Sequence, residues 1–277
     1  MKTLVKALIL LFLSAAIFGP AGFFAYQLFI KPERLEKEDI AQGAPSPPPD
    51  PSLPELAKCE EVQKTGDLIA ARTAFVNFVE NNPDSTKIDQ AKDELGRINT
   101  AIFFSTYPSP EKVEYSVQKG DVLVKIAMKM KTTSELIMRS NNMSGTMLHI
   151  GQQLLISHPN FSLTISRKEK KVILLNDGKF FTQYSAITWG APAARSSAPI
   201  NGRVRDKIAW RNGQQVALGS KDYPGSARWV EVGVANYTLY SQGSDNSAKP
   251  PGGIELSQED MEELSTLLSR NVPVTIQ

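Results

Sequence analysis

One stretch, Tyr115 to Ile156, constrains the fold more tightly than any other, because its apolar spacing changes period in an order that only a small compact unit accommodates. Tyr115 and Val117 alternate with Ser116 and Gln118, which is the period-two pattern of a half-buried strand, and Lys119-Gly120-Asp121 supplies the turn. Leu123, Ile126, Ala127 and Met130 then recur at three- and four-residue steps. They share one helix face, with Asp121 as the expected N-cap. A second helix is expected from Thr133 or Ser134, with Glu135 in its first turn and Leu136 and Ile137 turned inward, ending at Asn141-Asn142. Gly151 turns the chain back, and Leu154, Leu155 and Ile156 form a return strand suited to pairing with the first.

Strand, helix, helix, strand in this order resembles the LysM domain. The resemblance rests on Tyr115-x-Val117, Gly120-Asp121-x-Leu123, Ile126-Ala127, Leu136, Asn141 and Gly151-Gln152-x-Leu154-x-Ile156. Val122 stands where that family usually carries a hydroxyl residue after Gly-Asp. The resemblance implies binding of N-acetylglucosamine-containing glycan, peptidoglycan or chitin, in a shallow groove between the loop after the first strand and the loop before the last. Carried over, it singles out Gly120, Asp121, Val122 and Leu123 on one side and Met143, Leu148, His149 and Ile150 on the other. Four of them have a plainer reading: Leu123 as core, Gly120 as a backbone turn, Asp121 as a helix cap, His149 as a surface turn residue.

A chain of 277 residues, 41% hydrophobic and 22% charged, is long enough for one or two cores plus accessories. A net charge of +2, with no basic patch interleaved with aromatics, gives no footing for nucleic acid. Cys59 is the sole cysteine, which rules out intramolecular disulfides, thiolate zinc sites and Cys-x-x-Cys redox chemistry. No paired-carboxylate, phosphate-loop or metal-ligand spacing stands out, so neither a cofactor nor a metal is expected.

Ala7 to Ile30 carries no charge and follows Lys2 and Lys6. As a helix at ~1.5 Å per residue it would reach about 36 Å, enough to cross a hydrocarbon core of about 30 Å. It reads as a membrane anchor or a signal peptide, and the continuation of the apolar run through Phe23, Phe24, Leu28 and Phe29 favours the anchor. Lysines and arginines flank both ends, so charge leaves the orientation open; a wall-glycan ligand places the bulk of the chain on the periplasmic or extracytoplasmic side. Residues 41–54 are rich in proline and form a semi-rigid spacer. Glu55 to Ser105 reads as helical: Leu68, Ala71, Phe75, Phe78 and Val79 fall on one face, Asn82-Pro83 breaks the pattern, and a further helix runs from about Lys87. Gly66-Asp67, the two phenylalanines and Asn-Pro resemble part of a tetratricopeptide-type unit, which implies either a helical hairpin packed on its neighbour or a site for an envelope protein partner.

From Phe161 the period becomes two. Strands are expected at 163–165, 172–175, 180–187, 203–208, 215–218, 229–232, 237–240 and 272–276, with a helix from Ser257. This layout resembles the L,D-transpeptidase catalytic domain, through Asn176-Asp177-Gly178, Ala198-Pro199-Ile200-Asn201-Gly202 and the terminal helix followed by Val272-Pro273-Val274-Thr275-Ile276. That family cross-links peptidoglycan stem peptides with a cysteine. Here its His-Gly-Thr falls on Gln242-Gly243-Ser244, and its Ser-His-Gly-Cys-Ile-Arg-Leu falls on Pro250-Pro251-Gly252-Gly253-Ile254-Glu255-Leu256. Gly253 holds the nucleophile's place, Gln242 a histidine's and Glu255 an arginine's, so no thiolate and no base remain for thioester chemistry.

The expectation is an α+β multidomain chain: an anchor or signal segment at 1–31, a linker at 32–54, a tetratricopeptide-like helical hairpin at 55–106, a LysM domain at 113–158 and an L,D-transpeptidase-like β-rich domain at 161–277. The expected function is peptidoglycan binding from the membrane, with a non-catalytic carboxy-terminal domain. The alternative is an active peptidoglycan-modifying enzyme of the L,D-transpeptidase type.

Overall fold

The computed structural model describes residues 49–192, 198–243, 250 and 252–277. The expected anchor and most of the linker lie outside them. Among the described residues no helix is long and apolar enough to cross a membrane. Residues 51–277 form one compact unit.

Three helices open it: α1 Leu53–Lys64, α2 Leu68–Asn81 and α3 Ile88–Phe103. The expected hairpin is therefore a three-helix layer. Asp67 starts α2 by accepting the amides of Ile69 and Ala70, and Asn82 ends it before Pro83. The apolar stripe of these helices, Phe75, Phe78, Leu95, Ile98 and Ile102, is fully or almost fully buried. It does not wait for a partner protein, because α3 lies across a five-stranded sheet of the same chain. Phe103 meets Phe181 edge-on with centroids 4.8 Å apart, and Phe161 meets Phe181 at 5.0 Å. Gly96 sits in the middle of α3, where glycine ordinarily weakens a helix by ~1 kcal/mol. A Cβ there would lie 2.6 Å from Thr182 Oγ1, so the missing side chain sets how closely helix and sheet approach.

The helical layer passes into the βααβ module. Strand β1 (Lys112–Ser116) is followed by α4 (Leu123–Lys129), α5 (Ser134–Ser140) and β2 (Gln153–Ser157). The two strands pair antiparallel, Tyr115 opposite Leu154 and Val113 opposite Ile156. Lys112 is buried at the junction, and its ammonium donates to the carbonyls of Ile102, Ser105 and Tyr107 at the end of α3. Burial pushes its pKa down to about 8. Val117, Leu123, Ile126, Ala127, Ile137, Leu154 and Ile156 make the module's own small core. Leu136 points the other way, into the large core shared with the helices and the sheets.

The remaining strands form two sheets. In the five-stranded one the order is β5 (Lys179–Ser185), β4 (Lys171–Asn176), β3 (Phe161–Ser166), β13 (Pro273–Ile276) and β7 (Ile200–Arg203), all antiparallel except β3 with β13. Asp177 and Gly178, both at positive φ, make the tight turn between β4 and β5. The six-stranded sheet runs β6 (Thr188–Trp189), β12 (Ile254–Glu255), β11 (Leu239–Tyr240), β10 (Ala227–Glu231), β8 (Asp206–Arg211) and β9 (Gln214–Gln215). Here the expectation of one strand over 203–208 fails. Val204 and Arg205 carry the chain from the first sheet to the second, their amides bonded to the carbonyls of Val272 and Glu231. The strand expected at 215–218 is likewise only Gln214–Gln215. Helix α6 (Gln258–Leu267), capped by Ser257 Oγ on the Asp260 amide, packs beside β10 and buries Met261, Leu264 and Leu267.

Candidate functional site

Two loops rise from the ends of the module's strand pair, and backbone hydrogen bonds tie them side by side. The Val117 amide donates to the Gln152 carbonyl at 2.9 Å, and the Gly151 amide donates back to the Val117 carbonyl at 2.8 Å. Gly120 takes φ +90°, the left-handed turn that its sequence position predicts. Asp121 does not cap the helix. Val122 occupies the N-cap position without a side-chain bond, and the Asp121 carboxylate turns back to accept the Gln118 amide at 2.8 Å and the Tyr115 hydroxyl at 2.9 Å. Those two donors hold its carboxyl below the usual carboxylate range.

Of the eight residues singled out for glycan, Leu123 is only 3% exposed and belongs to the core. Met143 and Leu148 are half-buried and pack on that core. Gly120, Val122, His149 and Ile150 are exposed, and the apolar side chains among them stand out: Val122 at 46% and Ile150 at 73%. Gln152 Oε1 accepts the His149 amide at 3.1 Å, which fixes the second loop. The site is thus two loops of turning backbone with exposed apolar side chains, Val122 on the first and Met147 and Ile150 on the second, suited to the weakly polar face of a sugar ring. Sequence reasoning missed Val124 and Met128. Both are exposed, at 57% and 74%, and they lie four residues apart on α4, off the stripe of Leu123, Ile126 and Ala127. An apolar pair on the wrong face of an amphipathic helix was the available signal.

Gln242, Gly253 and Glu255, the positions that the resemblance set against catalytic residues, lie in or beside the six-stranded sheet. Strands β11 and β12 are parallel, Leu239 opposite Ile254 and Tyr240 opposite Glu255. Gly253 precedes β12, with Ile254 bonded to the Thr238 carbonyl, whereas Gln242 follows the far end of β11. The backbones at Gln242 and Gly253 therefore sit at opposite ends of the strand pair, and it is Glu255 that the Gln242 amide reaches. Glu255 is 7% exposed and also accepts the Tyr240 hydroxyl at 3.3 Å. Burial and that carboxylate push the Tyr240 hydroxyl's pKa up. Gly253 has φ +102°, and a Cβ built on it would stand 2.5 Å from the Thr238 carbonyl oxygen. No L-side chain fits there without moving backbone. Ser241 is spent on structure, accepting the Arg228 amide and donating to Gln258. Cys59 is 4% exposed in α1, and burial together with the Glu55 carboxylate pushes its thiol pKa up, the reverse of what a nucleophile needs.

The paired strands, the two short helices between them and the clamped loops define a LysM domain, and residues 115–157 match that domain family. No curated protein sequence matches the chain. Among solved structures the chain is similar to an L,D-transpeptidase from Mycobacterium smegmatis, at 12% identity and a TM-score of 0.29 over 47% of this chain and 64% of that one. An Enterococcus faecium L,D-transpeptidase mutant matches at 12% identity and 0.29, over 42% and 49%. A fused Zn-dependent amidase/peptidase/peptidoglycan-binding domain-containing protein from Clostridium acetobutylicum matches at 15% and 0.29, over 43% and 52%. The chain spans 49% to 64% of the length of these structures.

Proposed function

We propose that this is a cell-envelope protein that binds the N-acetylglucosamine-containing glycan of peptidoglycan through the loops at 118–123 and 143–151. In this reading residues 7–30 hold it in the membrane, and the β-rich domain at 161–277, which resembles L,D-transpeptidases in sequence, serves as a non-catalytic body. The observation that carries the binding reading is the LysM match over 115–157 together with the exposed Val122 and Ile150 on its two clamped loops. The non-catalytic reading is supported by Gly253, whose backbone leaves no room for a side chain where the related enzymes need a thiolate. The helices at 53–103 bury their apolar stripe against the β-domain, so a role for them in holding an envelope partner has only their outer polar face to use.

The test is cosedimentation of the full chain, in detergent, with isolated peptidoglycan sacculi. Ile150→Asp and Val122→Asp place a charge on exposed positions and leave both cores intact. Each is expected to weaken binding about tenfold, equivalent to ~1.4 kcal/mol. Retention unchanged in both variants would defeat the assignment of these loops.

A further inference from the structure

The module does not stand free of the β-domain. At their seam lies a cavity of about 1010 Å³, lined by Val124 and Met128 of α4 on the module's side and by Ala217 and Leu218, beyond β9, on the other. That volume is at the upper end of the range for small-ligand pockets. Both glycan loops lead to it. The first runs through Val122 straight into α4. The second carries Thr146, whose methyl is 3.7 Å from where a side chain on Gly219 would begin, so it rests against the segment that holds Ala217 and Leu218.

The chemistry of the walls narrows the occupant. The two carboxylates in the lining are matched by cations, Glu135 with Lys207 at 2.7 Å and Asp206 with Arg270 at 2.6 Å. Arg228, also in the lining, is stacked on the Tyr223 ring at 3.6 Å. What remains is the exposed Lys131, with alkyl and thioether surface beside neutral hydroxyl and amide groups such as those of Ser134 and Asn271. A hydroxyl- and acetamide-bearing ring polymer presents the same alternation of apolar face and polar edge.

We propose that the glycan site continues from the LysM loops into this seam, so that the β-domain contributes to holding a strand longer than the module alone can seat. The inference rests on the glycan reading above and adds a length preference to it. It also gives the β-domain a binding role without catalysis, since Ala217 and Leu218 belong to that domain.

Calorimetry on the full chain in detergent, with N-acetylglucosamine tetramer and octamer as probes, tests it. The octamer is expected to bind the wild type about tenfold more tightly than the tetramer. Met128→Glu and Ala217→Trp alter exposed positions on the two walls, so folding is preserved; each is expected to bring octamer affinity down to the tetramer's while tetramer affinity stays unchanged. Octamer affinity unaffected by either variant would overturn the seam assignment and leave the LysM loops in place. Absence of binding to both oligomers would overturn the glycan reading itself, and this extension with it.

Discussion

Adding a side chain at Gly253 ought to break the fold locally rather than supply a working nucleophile. The residue sits at φ +102°, outside the ordinary left-handed well, where a non-glycine residue costs ~1–3 kcal/mol. Its Cβ would also stand 2.5 Å from the Thr238 carbonyl oxygen, and backbone on both sides is tied: Ile254 donates to Thr238 and Gly190 donates to the Gly253 carbonyl. Relief of such overpacking adds ~1–3 kcal/mol. Gly253→Ala is therefore expected to lose about 4 kcal/mol. Gly66→Ala is the internal control, because Gly66 has φ +82° with nothing within 4 Å of a built Cβ; it should lose only ~1 kcal/mol. Equilibrium urea denaturation with matched m-values reads the two differences on one scale. Gly253→Cys should be as unstable as Gly253→Ala and produce no exchanged or cross-linked muropeptides by mass spectrometry. A Gly253→Ala variant no less stable than Gly66→Ala would refute the steric argument, and muropeptide exchange by Gly253→Cys would refute the claim that the site cannot host a nucleophile.

Phe103→Ala removes the ring that joins α3 to Phe161 and Phe181, and should cost ~3–5 kcal/mol in the same denaturation; a loss under ~1 kcal/mol would mean the helical layer is not docked on the sheet. Lys207→Met leaves the Glu135 carboxylate without its cation and should cost about 3 kcal/mol, read as a shift in urea midpoint. Burial pushes the Glu135 carboxyl up, but Lys207 and Tyr223 more than offset it, so the folded pKa lies below 4.5. Below that value the unfolded chain binds more protons than the folded one, and stability should fall as pH drops through the folded pKa. A melting temperature flat from pH 5 to the acid limit of solubility would contradict this.

Much of the LysM module was legible because its signals are local. The stripe at Leu123, Ile126 and Ala127 and the cap at Thr133 act within one or two turns of chain, and each appears where its spacing places it, whereas the first strand runs Lys112–Ser116 and ends before Val117. Asp121 was misassigned for the same reason. Two local partners compete for one carboxylate, and spacing alone does not tell that the Gln118 amide and Tyr115 hydroxyl win over the helix amides. Glu135 was read as a first-turn acid, although its strongest partners, Lys207 and Tyr223, stand 72 and 88 residues away. Nothing in a sequence window carries such a pairing.

The glycan loops show the same limit in a form that bears on function. The family resemblance put Leu123 and Val122 in one candidate set, yet Val122 is extended at the N-cap and exposed while Leu123 opens the helix and is buried, and along the helix each step turns a side chain by about 100°. The same rotation places Val124 and Met128 outward on a single stripe. An apolar stripe opposite a module's own core must be covered by something or held open for something. The β-domain covers part of it and leaves the seam cavity over the rest. The β-domain is fastened to the module: Leu136 and the Thr133 hydroxyl, bonded to the Thr266 carbonyl, hold α5 on it, so the wall opposite Val124 and Met128 stays in place. Loosening that attachment with Leu136→Ala, at ~2–5 kcal/mol of stability, should weaken octamer binding more than tetramer binding even though Leu136 touches neither. Equal weakening of both would mean that the seam is scaffold and nothing more.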